Sequence, residues 1–173
     1  MGRIGGHRGR RVSDGLVQPI RVLFVCLGNI CRSPLAKFVA VAMAQRRGIS
    51  GRIEFDSCGT GGWHVGGGAD PRTVAVARRH GLDATHTARQ LSHQDFGRFH
   101  WLIAMDADNV RTLLSRGAPP EKVRLMRSFD AAVSAEAPDL DVPDPYTGGP
   151  EGFDEVYSML VTSCEGMLDE LLG

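Results

Sequence analysis

Cys26 and Arg32 are separated by five residues in the run Cys26-Leu27-Gly28-Asn29-Ile30-Cys31-Arg32-Ser33. A thiol and a guanidinium so spaced suit one chemistry, a sulfur nucleophile beside a planar fork that grips two phosphate oxygens. Gly28 lets the backbone come close to an anion. Asn29 tolerates left-handed dihedrals, so the N–H groups of the loop from Leu27 to Ser33 can curl into a nest around phosphate. Arg32 would tighten on the extra charge of a trigonal-bipyramidal transition state. Ser33 can donate a hydrogen bond to the sulfur, steadying a thiolate and easing its departure from a phosphocysteine. The leaving oxygen needs a proton, and Val142-Pro143-Asp144-Pro145-Tyr146 offers one. Two prolines stiffen the chain around Asp144, which would act as general acid and then as base toward water.

The elements around this loop are legible too. Ile20 to Val25 is the apolar, β-branched run of a strand buried on both faces of a parallel sheet, with Cys26 at its carboxyl end. Ser33 reads as a helix cap, Pro34 as the first helical residue, and Leu35, Phe38, Val39, Ala42 and Met43 as the apolar face, with Gly48 as the stop. A strand end meeting a helix start gathers unpaired N–H groups and partial positive charge, which favours both a bound anion and a thiolate. Downstream, strands are predicted over 52–57, 99–105 and 122–126, and helices over 71–80 and 107–116. Phe153, Val156, Tyr157, Leu160, Cys164, Met167, Leu168 and Leu171 form the stripe of a last helix. Short strands alternating with helices imply an α/β fold, a three-layer α/β/α arrangement with a central four-stranded parallel sheet and the site at the strands' carboxyl ends.

The 173 residues carry 20 basic and 20 acidic side chains, so the zero net charge gives no sign of nucleic-acid binding. No stretch is long and apolar enough to span a membrane. Residues 1–19, with Arg3, Arg8, Arg10 and Arg11 among glycines, have too little apolar content to fold, and read as a disordered tail before a single domain at 20–173. The four cysteines make no disulfide framework, and a catalytic thiol needs a reducing compartment, so a cytoplasmic location is expected. Zinc is disfavoured, because no second Cys or His pair matches Cys26 and Cys31. Cys58 and Cys164 read as core residues and Asp106 as a helix N-cap.

The pairing of Cys26-Leu27-Gly28-Asn29-Ile30-Cys31-Arg32-Ser33-Pro34 with Asp144-Pro145-Tyr146 resembles the low-molecular-weight protein tyrosine phosphatases, over roughly residue 20 to the C-terminus. The resemblance implies Cys26 as nucleophile, Arg32 as phosphate clamp and Asp144 as acid and base, with no cofactor or metal. It implies phosphotyrosine proteins as substrates and inorganic phosphate as product, without nucleic-acid or membrane partners. Asn29, Ser57 and His86 match residues that tie the loop down from behind. Trp63 and His64 match one wall of the substrate cleft and Tyr146 the other, although Thr147 stands where the family often has a second aromatic residue. Cys31 matches the neighbour that closes a protective disulfide on an oxidised nucleophile.

Three rivals share parts of this pattern. Related arsenate reductases use a further cysteine pair in mid-chain, and none lies between Cys58 and Cys164. Protein arginine phosphatases carry threonine where this chain has Ile30, which favours an aryl phosphate here. A non-catalytic phosphoprotein-binding module could dispense with nucleophile or acid, whereas Cys26, Arg32, Ser33 and Asp144 are all present.

Overall fold

A computed structural model describes residues 17–134 and 136–173. The predicted disordered tail lies outside the described residues up to position 16; residues 17–19 have no regular secondary structure, with Val17 exposed.

Four strands form one parallel sheet: β1 (Ile20–Cys26), β2 (Ile53–Gly59), β3 (Trp101–Ala104) and β4 (Val123–Leu125), in the order β2-β1-β3-β4. Among the described residues five α-helices connect or follow them: α1 (Arg32–Arg46), α2 (Pro71–Arg79), α3 (Asp95–Arg98), α4 (Ala107–Ser115) and α5 (Pro150–Leu172). Strand alternation sorts β1 between two cores. Val22 and Phe24 pack with residues of α1, α2 and α5, whereas Leu23 and Val25 pack on the other face with Phe96 of α3 and Leu113 of α4. Side chains from Val22 to Val25 have no solvent exposure, as expected for a central parallel strand covered on both faces. The three-layer α/β expectation holds.

The α5 stripe is buried at Phe153, Val156, Leu160, Cys164, Met167 and Leu168. Gly166 sits directly against the Phe129 backbone, where a Cβ would come within 1.9 Å of the carbonyl oxygen. Three local readings need correction. The first helix begins at Arg32 with Cys31 at the cap position and no side-chain cap, so Pro34 is its third residue and Ser33 caps nothing. Strands β3 and β4 are shorter than their apolar runs, because flanking residues leave the ladder for turns. Helix α3 was not foreseen; four residues are too few to show a period.

The chain runs from β1 to its neighbour β2 on one side, then crosses to β3 and β4 on the other. Ligands of open α/β sheets bind at such a reversal, outside the carboxyl ends of the strands. Cys26 ends β1 there.

Candidate active site

The segment from Cys26 to Arg32 wraps into a loop whose carbonyls are held from outside. Thr60 N donates to Cys26 O at 2.8 Å, Gly61 N to Leu27 O at 2.9 Å, Asp70 N to Ile30 O at 2.9 Å, and His86 Nε2 meets Asn29 O at 2.7 Å. A trans peptide sends its N–H opposite to its C=O, so the amides of Leu27, Gly28, Ile30 and Cys31 turn away from these partners, toward the inside of the loop. Asn29 makes the turn possible with φ of 57°, among the described residues the one non-glycine at positive φ. Its own N–H donates to Cys26 Sγ at 3.3 Å.

A buried hydrogen-bond chain fixes the sulfur. Asn29 Nδ2 donates to Ser33 Oγ at 2.9 Å and to Ser57 Oγ at 3.0 Å, and Ser33 Oγ lies 2.9 Å from Cys26 Sγ. Asn29, Ser33 and Ser57 are buried behind the loop. The carbonyl contact requires His86 to carry its proton on Nε2, and burial holds its imidazole below the ordinary value despite the favourable Asn29 contact.

Arg32 is almost fully buried. Its Nη1 donates to Asp106 Oδ2 at 2.6 Å and to Val142 O at 3.0 Å, and Nη2 lies 3.5 Å from Asp144 Oδ2. Burial alone would weaken its charge, but Cys26, Asp106 and Asp144 outweigh that and hold the guanidinium protonated. Asp106 does cap α4, accepting from Asn109 N at 2.7 Å through Oδ1, while its second oxygen braces Arg32. The reading of Asp106 as a cap was right and missed half its work, because a contact spanning 74 residues leaves no local pattern.

Asp144 lies across the cleft on a loop anchored at Val142, whose N–H donates to Met105 O at 2.7 Å. Its Oδ1 accepts from Tyr146 N at 3.1 Å. Cys31 is buried, and burial, with Asp70 second, pushes its thiol up to about 12. The two loop sulfurs are therefore held differently: Cys26 meets Ser33 Oγ and Asn29 N, whereas burial keeps Cys31 a thiol.

Cys26, Leu27, Gly28, Ile30, Cys31, Arg32, Trp63, His64, Asp144 and Tyr146 line one cavity of about 150 Å³, the size that takes up a benzene ring in a protein interior. Trp63 is 74% exposed and Tyr146 49%, so both rings stand at the mouth rather than in the core. Cys58 and Cys164 are fully buried core thiols, as expected.

Sequence reasoning overlooked Gly59, where a Cβ would come within 2.7 Å of Leu27 O. It also overlooked Arg89, whose N–H donates to Asn29 Oδ1 at 2.9 Å while its side chain bridges Asp56 and Asp95. A glycine ending a strand was the one available signal for the former.

The family model described as low molecular weight phosphotyrosine protein phosphatase matches residues 21–172. A low molecular weight protein-tyrosine-phosphatase of Streptomyces coelicolor is 50% identical over 152 residues, covering 86% of this chain and 91% of that one. A protein tyrosine phosphatase of Entamoeba histolytica, crystallised with Hepes in its active site, superposes with a TM-score of 0.82 at 36% identity, covering 88% of this chain and 97% of that one. A Drosophila arginine phosphatase superposes with a TM-score of 0.81 at 32% identity, covering 89% and 99%.

Proposed function

The chain belongs to the low molecular weight phosphotyrosine protein phosphatase family, and from that premise we propose that it hydrolyses phosphotyrosine on proteins through a phosphocysteine at Cys26. One observation carries the reading. Cys26, whose sulfur meets Ser33 Oγ and Asn29 N from behind, lines the same small cavity as Arg32 and Asp144.

In the first step the thiolate attacks phosphorus, Arg32 and the loop amides hold the equatorial oxygens, and the bond to the tyrosyl oxygen breaks as Asp144 gives that oxygen its proton. In the second, Asp144 takes a proton from water, the hydroxide oxygen attacks phosphorus, and the S–P bond breaks to return thiolate and release inorganic phosphate. Trp63, His64 and Tyr146 wall the phenyl ring. Asn29, Ser57 and His86 keep the loop curled when it is empty, so little reorganisation accompanies binding.

Oxidant would reach the same sulfur. Peroxide converts the Cys26 thiolate to a sulfenic acid, and the Cys31 thiol then displaces water to form a disulfide, returning the site to service on reduction. A site of this kind works in a reducing compartment such as the cytoplasm, and the domain carrying it is taken as 20–173, preceded by a tail at 1–19.

The test is phosphate release from matched phosphotyrosine and phosphoarginine peptides, under reductant, by wild type and Cys26→Ser. The expected result is a preference for phosphotyrosine that Cys26→Ser abolishes. Preference for phosphoarginine would move the chain toward the activity named for its Drosophila neighbour, and tight binding without release would make it a phosphoprotein-binding module.

A further inference from the structure

The two aromatic walls of the cleft are held differently. Trp63 folds against Gly61, where a Cβ would come within 1.9 Å of its ring. Tyr146 is half-exposed, sits two residues past Asp144, and lies on a segment without regular secondary structure. What reaches it comes from the start of α2.

Asp70 caps α2 and is buried, and three groups of Arg72 converge on its carboxylate: N at 2.8 Å, Nε at 3.0 Å and Nη2 at 2.9 Å. Nε and Nη2 meet the two carboxylate oxygens as a bidentate pair, which fixes the direction of the guanidinium. Asp70 N in turn donates to Ile30 O, a carbonyl of the phosphate loop. The Arg72 guanidinium carbon lies 4.5 Å from the centroid of Phe153, a core residue of α5, and 5.6 Å from that of Tyr146. Its Nη1 is 3.5 Å from Gly148 O, on the far side of Tyr146 in the chain.

We propose that Arg72 is a positioning residue for the aryl-binding wall: anchored to the phosphate loop through Asp70, it holds Tyr146 at the cleft mouth through the ring and the Gly148 carbonyl. The inference rests on the phosphotyrosine reading, since it is an aryl substrate that a placed tyrosine ring would serve. The role is geometric more than Coulombic. The Arg72 side chain is about a third exposed, where water screens its charge, but its planar fork fixes direction as well as distance. Acid loop and phosphate loop are then joined twice, by Arg32 at Val142 and by Arg72 at Gly148.

Arg72→Met tests this, because it keeps the aliphatic stem and the backbone bond to Asp70 while removing the fork. KM for an aryl phosphate should rise about three- to fivefold, the worth of a cation–π contact at an exposed site. KM for a small alkyl phosphate and inhibition by inorganic phosphate should stay within about twofold, since neither needs the wall. Arg72→Lys should fail to restore the aryl KM. In a Tyr146→Ala background, Arg72→Met should change it by less than about 1.5-fold, because the two act as one unit. The ring resonances of Tyr146, one of two tyrosines in the chain and identified through Tyr146→Phe, should shift in Arg72→Met. Unmoved resonances, or an aryl-specific loss that persists without the Tyr146 ring, would overturn the proposal. Absence of phosphate release from wild type would instead count against the phosphotyrosine reading, and the resonances would still judge the strut.

Discussion

Ser33→Ala isolates one proton in the site. Asn29 Nδ2 donates to Ser33 Oγ, so that oxygen is an acceptor, and the single hydroxyl proton has Cys26 Sγ at 2.9 Å and Cys58 O at 3.4 Å to choose between. The nearer partner is sulfur. Cys26 is 2% exposed, and its other donor is Asn29 N at 3.3 Å, so the variant removes the shorter of two contacts from a buried sulfur. A hydrogen bond to a charged group contributes about 1.5–3 kcal/mol, which is about 10- to 150-fold in a rate that depends on it. In the proposed mechanism the step that depends on it is hydrolysis of the phosphocysteine, in which negative charge would return to sulfur as the S–P bond breaks. The first step consumes that charge and is spared. Stopped-flow turnover of p-nitrophenyl phosphate should therefore show a burst of nitrophenolate close to one per enzyme, followed by steady turnover about 10- to 150-fold below wild type. An unchanged steady rate, or a slowed first step with no burst, would refute the assignment of that proton to sulfur.

Other perturbations follow from the same geometry. Asp144→Asn should lower turnover of esters with poor leaving groups by about 10²–10⁴ and spare good ones, read from the dependence of rate on leaving-group acidity. Asp106→Ala strands the buried Arg32 without its shortest partner and should lower stability by about 3–5 kcal/mol in denaturant titration; a loss under 1 kcal/mol would mean that Val142 O and Asp144 suffice. The atoms nearest a Cβ at Gly61 belong to the exposed Trp63 ring, so in Gly61→Ala the melting temperature should hold while KM for aryl phosphates rises, and an unchanged KM would remove Trp63 from the cleft wall. Burial depresses His86 in the folded state, so the unfolded chain takes up its proton first and stability falls as pH drops below the ordinary value of 6.5. His86→Gln should lose that acid-side decline, while the decline from depressed Asp56 and Asp70, which begins lower, near 3.8, remains in denaturant midpoints taken across pH.

What the sequence made legible was whatever repeats or clusters. The apolar run of β1 from Val22 to Val25, the period of α5 and the Cys26-to-Ser33 loop each announce themselves over a few consecutive residues. The failures lie where one residue serves two masters. Ser33 has the chemistry of a cap, but the loop gives the cap position to Cys31 and turns the Ser33 hydroxyl to sulfur. Asp106 spends one oxygen locally and one on Arg32. Arg72 and Arg89 act through partners distant in sequence, Gly148 in one case and Asn29 in the other, and no periodicity links those positions. Strands β3 and β4 were overdrawn because apolar composition continues past the last ladder bond, into residues such as Met126 that are buried without being extended.

Covalent chemistry at Cys26 is open to rapid acid quench with a ³²P-labelled phosphotyrosine peptide. About one phosphate per Ser33→Ala protein should be trapped during turnover, recovered in the peptide that contains Cys26 and absent from Cys26→Ser. Label on another residue, or turnover with no labelled protein at any quench time, would contradict it.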